Sequence, residues 1–248
     1  LRSKTLEEEF KSGVRWQKIP TRYLKMQPSE IEAEIKIMKA LLGDALYILG
    51  HHYQREEVIK YADSTGDSFK LSLDASKVKN AEYIIFCGVH FMAETADILT
   101  SINQKVILPN MAAGCSMADM ANLAKVERTY REISKVLDFD EKITPVTYIN
   151  SAADLKAFCG EHQGIVCTST NAPKILNWAF KQKEKALFFP DQNLGRWTGY
   201  KMGIPLDKMP VWDPDLPLGG LTEKQIIDSK ILLWKGHCAV HQMFRVET

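Results

Sequence analysis

The sequence predicts an α/β fold of repeated αβα domains with parallel sheets. Short β-branched and aromatic runs alternate along the chain with stretches of helical period. The order of strand ends in the first half also recurs, weakly, in the second. ILGHHYQREEVIKYA, IIFCGVHFMAETADIL and VILPNMAAGCSMADM match VTYINSAADLKAF, IVCTSTNAPKILNWAF and, after an insertion, ILLWKGHCAVHQMF. Each series closes on a strand, a loop and a cysteine, which makes Cys115 and Cys238 equivalent positions.

Residues 1–40 read as an N-terminal helical extension, with a helical period over 28–44 (PSEIEAEIKIMKALLGD). A first αβα domain then covers 41–126 and includes Cys115. Its strands are ALYILG (45–50), EYIIFCG (82–88) and KVILP (105–109), and its helices REEVIKYAD (55–63), FMAETADILTSI (91–102) and MADMANLAKV (117–126). The second, 127–248, has strands ITPVTYI (143–149), GIVCTS (164–169), KALFFP (185–190) and KILLWKG (230–236), with helices AADLKAFCGE (152–161) and NAPKILNWAFKQ (171–182). The Pro-, Gly- and Asp-rich insertion between Phe189 and Lys230 reads mostly as surface loop and turn. Parallel sheets bind ligands outside the carboxyl ends of their strands, and each candidate residue below lies at such an end.

Composition narrows the function. With 248 residues, 45% hydrophobic and 25% charged, the chain has ordinary globular content and enough apolar material for a core in more than one lobe. A net charge of +1, from 32 basic and 31 acidic residues well mixed along the chain, points to no nucleic acid and no membrane as partner. The longest strongly apolar stretch, residues 83–89, falls far short of the roughly 20 needed to span a bilayer. Without a secretory pattern at its start the chain reads as cytoplasmic, where its five cysteines stay reduced. It begins at Leu1 and finishes inside HQMFRVET with no cap or stop signal, so it reads as a fragment.

Cys87, Cys159 and Cys167 lie in apolar strand or helix patterns and read as small core hydrophobes. Cys115, in the small-residue loop NMAAGCSMADM before a helix, and Cys238, in KGHCAVH, have room beside them for a bulky partner, and a helix N-terminus favours the metal-binding thiolate. Cys238 and His241 have the spacing of one zinc knuckle, but the second knuckle of a structural site is absent. A zinc site with three protein ligands and an iron–sulfur cluster held by single cysteines from different domains both stay open. The cluster would need a third cysteine beyond this chain.

Polar residues also gather at strand ends. GHHYQ places His51, His52 and Tyr53 directly after a strand, and TGDS offers the Ser68 hydroxyl and backbone amides to an anion. Tyr148 and Asn150 flank Ile149 and, at period two, point the same way. CTSTN, with Ser169, precedes a helix whose N-terminus favours a carboxylate or phosphate.

Taken in order, GHHYQ, ADSTGDSFKLS, IIFCGVHFMAETA, LPNMAAGCSMAD, VTYINSAADLKA, VCTSTNA, FFPDQNLGRW and WKGHCAVH resemble the quinolinate synthase family, over about residues 48–241. The long interval from Cys115 to Cys238 resembles the longer form of the family found in many Gram-positive bacteria. The resemblance implies three αβα domains in a pseudo-threefold arrangement, one cysteine from each holding a 4Fe-4S cluster. It further implies a transferase-type condensation of iminoaspartate with dihydroxyacetone phosphate to quinolinate in de novo NAD biosynthesis, with L-aspartate oxidase as the source of iminoaspartate. Carried over residue by residue, Cys115 and Cys238 are cluster ligands and Tyr53 the acid/base. His51 and Ser68 bind substrate carboxylate or phosphate. Tyr148 and Asn150 hold the dicarboxylic half, with Ser169 on its other side, and His241 lines the same cavity. The third cysteine and the third domain have no counterpart here, so this chain alone is expected to be inactive. A zinc-dependent hydrolase using Cys238 and His241, and a non-catalytic small-molecule-binding protein, are the alternative readings.

Overall fold

The structure, a computed structural model, describes residues 19–243. Residues 1–18 of the expected helical extension and the last five residues of HQMFRVET lie outside the described residues. The chain divides into two compact units at the Gly114–Cys115 junction.

The first unit opens with helices α1 (Thr21–Lys25) and α2 (Pro28–Leu42). Pro28 starts α2, and Gln27 and Glu30 cap it reciprocally. Then come strand β1 (Leu46–His51), helix α3 (Glu56–Ile59), β2 (Ser64–Gly66), α4 (Ser68–Lys77), β3 (Tyr83–Cys87), α5 (His90–Leu99) and β4 (Lys105–Ile107). The strands are all parallel, in the order β2-β1-β3-β4.

Two elements of this unit differ from the sequence expectation. The helix expected over 55–63 stops at Ile59 because Asp63 is drawn to the sheet. Its N–H donates to the Ile48 carbonyl at 2.7 Å, and its carboxylate accepts the Ile48 N–H at 2.8 Å and takes Lys39 Nζ at 2.7 Å. That turn feeds β2, whose pairing places Gly66 beside His51. Downstream, α4 stands where only a turn was expected. Asp67 is its N-cap, accepting from the Lys70 N–H at 2.8 Å, while Leu71 and Ala75 bury its inner face.

The second unit begins with a 3-10 turn over Ala118–Met120 and helix α6 (Leu123–Ile133), later than the expected 117–126. Asn122 sets this start by accepting the Lys125 N–H at 3.0 Å. Helix α7 (Phe139–Lys142), β5 (Ile143–Tyr148), α8 (Ala153–Glu161), β6 (Ile165–Cys167), α9 (Ala172–Gln182) and β7 (Lys185–Phe189) follow. The insertion, expected to be mostly loop, contains helix α10 (Gln192–Lys201), strand β8 (Val211–Trp212) and helix α11 (Glu223–Asp228) before β9 (Ile231–Trp234). Two caps make these helices: Asp191 accepts the Asn193 N–H at 2.8 Å, and Thr222 with Gln225 forms a capping box. The prolines of the insertion lie outside these elements, whereas Gly195 and Gly199 are buried inside α10, where a Cβ would meet Leu233 at 2.6 Å and Met209 at 2.4 Å.

This sheet is parallel too, in the order β6-β5-β7-β9-β8. Its central strands are buried on both faces. Leu187, Phe189, Leu232 and Trp234 join Val126 and Ile133 of α6 and Leu155 and Phe158 of α8 in one core, while Ala186, Phe188, Ile231 and Leu233 join Leu176 and Ala179 of α9 in the other. Each such large apolar side chain contributes about 1.5–3 kcal/mol by burial.

Order within the sheets corrects the repeat read from sequence. In chain order, β2-β1-β3-β4 and β6-β5-β7-β9 follow one scheme, so β2 corresponds to β6 and β3 to β7. The sequence pairing had set IIFCG against IVCTS; topology sets it against KALFFP. Cys115 and Cys238 remain equivalent, each following the fourth strand of that scheme.

Pro145 sits within the central strand β5 in register with Leu187 of β7, while the β6 ladder starts one residue later at Val146, where the chain passes close to Pro145. Gly164 makes this approach possible: a Cβ there would lie 2.1 Å from the Pro145 carbonyl oxygen. Gly160, in α8, has nothing within 4 Å of such a Cβ. Gly164→Ala is therefore expected to destabilise the protein by about 1–3 kcal/mol, whereas Gly160→Ala stabilises it by about 0.5–1 kcal/mol, as read by urea denaturation. Equal effects of the two substitutions would contradict the packing described.

Candidate functional site

In the first unit, polar groups collect where β1 and β2 end. His51, last residue of β1, is 6% exposed; its ring centroid lies 3.9 Å from that of Tyr53 and 4.4 Å from that of His52. The Tyr53 backbone N–H donates to His51 Nδ1 at 3.4 Å, which places the imidazole proton on Nε2 as a donor. Burial pushes the His51 pKa down to about 4; the neighbouring His52 adds to this and Asp67 opposes it. His51 is thus neutral at physiological pH. On the adjoining strand end, the His52 N–H donates to the Gly66 carbonyl at 3.0 Å, and Ser68 occupies the first position of α4, almost fully buried. A neutral imidazole, an exposed phenol at Tyr53 and the N-terminus of a ten-residue helix form a donor-rich surface suited to an anionic oxygen.

In the second unit the corresponding strand ends carry Tyr148 and Ser169. Tyr148 is the last residue of β5 and pairs in register with Cys167 of β6. Burial raises its pKa; a hydrogen bond with the Ser169 side chain pulls the other way, and Cys167, Asp191 and Cys238 raise it further. The phenol therefore stays protonated at neutral pH, a donor within electrostatic reach of Asp191 and Cys238. Asn150 is half-buried two residues beyond, and Ser169 is exposed. The turn behind Ser169 is rigid: Thr168 N–H donates to Asn171 Oδ1 at 2.6 Å and Asn171 N–H to Thr168 Oγ1 at 3.2 Å.

The five cysteines separate by environment. Cys159 and Cys167 are buried, as expected of core residues; burial pushes the Cys159 thiol up strongly and that of Cys167 up to about 12. Cys87, also expected in the core, is only half-buried because it shares the partly exposed face of β3 with Tyr83 and Ile85, though burial still raises its pKa. Cys115 and Cys238 are half-buried in turns after β4 and β9. Among the described residues no three or more His, Cys, Asp or Glu side chains come together as a metal site. The His241 side chain lies outside the described residues; its backbone belongs to a 3-10 turn over His241–Met243.

Sequence reasoning gave no role to Asp67, Asp191 or Met120. Asp191, 4% exposed, caps α10 and acts on Tyr148. Its signal was legible as P-D-Q-N-L, an acidic cap before helical period. Met120 joins the two cysteine-bearing turns, a contact that no local pattern announces.

The family model described as "Quinolinate synthetase A protein" matches residues 33–248. A quinolinate synthase of Corynebacterium glutamicum is 53% identical over 233 residues, covering 94% of this chain and 59% of that protein. One of Rhodopirellula baltica is 53% identical over 236 residues (91% and 60%), and one of Bacillus cereus 50% identical over 232 (92% and 61%). The chain thus spans about three fifths of the length of these relatives.

The His51 environment yields a pH test. Its folded pKa of about 4 lies below the ordinary 6.5, so the neutral form is favoured by folding. Its stabilisation is complete above pH 6.5 and is lost as pH falls toward and through 4. Urea denaturation should show wild-type stability dropping more steeply between pH 6.5 and 4 than that of His51→Gln; parallel curves would contradict the buried, neutral imidazole.

Proposed function

The chain belongs to the quinolinate synthetase A family, and from that premise we propose that it supplies two αβα domains of a quinolinate synthase. In this reading iminoaspartate and dihydroxyacetone phosphate condense to quinolinate, releasing one phosphate and two waters, as a step of NAD biosynthesis in the cytoplasm. An L-aspartate oxidase would deliver the iminoaspartate. Among the described residues no helix is long and apolar enough to cross a membrane.

The observation that carries the reading is the pair Cys115 and Cys238. They follow the fourth strand of each sheet, are half-buried rather than packed in a core, and lie in turns joined through Met120. Two thiols fit part of the ligand set of a 4Fe-4S cluster; the third cysteine is expected outside residues 1–248. A cluster held by three cysteines keeps one iron open as a Lewis acid toward a substrate oxygen or nitrogen.

The chain's own residues would bind and move protons. In the first unit, Ser68 and the α4 N-terminus take the phosphate or a carboxylate, and His51 donates from Nε2 without carrying charge. Tyr53 is the acid/base, its phenol open to substrate. In the second unit, Tyr148, held protonated, and Asn150 donate to the dicarboxylic half, with Ser169 orienting the Tyr148 hydroxyl. His241, three residues past Cys238, is a further catalytic group.

Anaerobically prepared protein at the full length of its relatives should form quinolinate from the two substrates, and no product from an iron-replete preparation would refute the assignment. Cys115→Ser and Cys238→Ser should each abolish the brown cluster absorbance, whereas Cys159→Ser should keep it. Tyr53→Phe should lower kcat by about 100-fold or more with the cluster intact.

A further inference from the structure

Met120 stands where the two cysteine-bearing turns of the second unit meet. Its carbonyl accepts the Trp234 indole N–H at 3.0 Å, and its thioether sulfur accepts the His237 backbone N–H at 3.3 Å. Its Cβ also lies 3.5 Å from where a side chain on Gly236 would begin. On the other side, Met120 belongs to the turn that holds Cys115. The Asp119 N–H donates to the Cys115 carbonyl at 3.0 Å, and the Met120 N–H to the Met117 carbonyl at 3.2 Å. Met117 and Ala118 are buried and anchor that turn.

The Cys238 turn is gripped from its far side as well. The Gln192 N–H donates to the Gly236 carbonyl at 3.0 Å, and a Cβ on Gly236 would fall 1.9 Å from the Pro190 carbonyl oxygen. No other residue fits at 236 without moving that backbone. Residues 236–238 are therefore held between the Pro190 turn and Met120.

We propose that Met120 is the positioning residue that fixes Cys115 and Cys238 with respect to each other, so that one change at Met120 disturbs both thiols at once. A sulfur acceptor suits this place. It satisfies the His237 N–H on a half-buried, otherwise apolar side chain, which an oxygen-bearing side chain of similar reach would not do without a second partner. The inference rests on the cluster reading only for what the two thiols hold, not for the clamp itself.

The test uses protein at the full length of its relatives and has two arms. In the cluster-free protein, timed alkylation with iodoacetamide, read by peptide mass, should be faster at both Cys115 and Cys238 in Met120→Ala. Met120→Leu, which keeps the bulk and loses the acceptor, and Trp234→Phe, which keeps a ring and loses the donor, should show smaller changes of the same sign. Continued protection of the buried Cys159 marks variants that remain folded. Unchanged rates in all three, or a change at one cysteine alone, would overturn the proposal. In the second arm, after anaerobic reconstitution with iron and sulfide, Met120→Ala should release iron to a chelator roughly 10- to 100-fold faster than wild type; equal release would also overturn it. A wild-type protein that takes up no iron would refute the cluster reading instead, and the alkylation rates would still decide the clamp.

Discussion

A parallel strand buried on both faces accepts a polar side chain in its interior only where that group is hydrogen-bonded, as Thr144 and Thr147 of β5 are, and the rest of this molecule follows from that constraint. In the second sheet, successive residues of β7 and β9 enter opposite cores: Phe188 and Leu233 one way, Phe189 and Trp234 the other. The candidate polar groups gather at the carboxyl ends of the strands and in the turns that follow them. His51, Tyr148 and the two turn cysteines all occupy such positions. The same crowding shapes the turns that follow. Backbone passes so close to backbone at Gly236, as it does at the opposite end of the sheet at Gly164, that a single methyl group would collide with a carbonyl.

Partial cover also fixes protonation. His51 and Tyr148 are shielded enough that their charged forms are disfavoured, so the imidazole is neutral and the phenol protonated at the same pH. Both can donate a hydrogen bond to an anionic oxygen, and neither adds charge that would need a counterion. Tyr53 is exposed beside His51, so the pair presents one covered and one solvent-facing ring.

How much of this was legible in the sequence depended on length. Seven expected strands of five to seven residues, from ALYILG to KILLWKG, were all found, because continuous apolar runs bounded by polar turns have few other solutions in a two-faced sheet. β2 and β8 were missed: three and two residues carry no period, and each exists only because a neighbouring strand offers an open edge. The helices α4 and α10 were missed for a different reason. Asp67 and Asp191 are N-caps inside stretches whose Gly, Pro and Ser content reads as loop, and the capping bond, not the composition, decided the outcome. The position of GHHYQ, VTYIN and CTSTN at strand ends was legible, whereas STGDS read only as a turn because β2 carries no period. Which of them correspond was not, since the repeat had paired β3 with β6 and the sheet order pairs β3 with β7.

That misalignment explains why the cysteine pair nevertheless emerged correctly as equivalent. An error in matching the second and third strands leaves the fourth unaffected, because β4 and β9 both close their series and both lead into a small-residue turn. Burial then divides the five thiols in a way composition could not. Burial raises the thiol pKa of Cys159 and Cys167 and so favours their uncharged form. Cys115 and Cys238 lie outside the cores, in turns after β4 and β9, and something long-range must join those turns. Here that role falls to contacts separated by more than a hundred residues, from Met120 to Trp234 and His237, which is why the ligand candidates were visible in the sequence and their alignment was not.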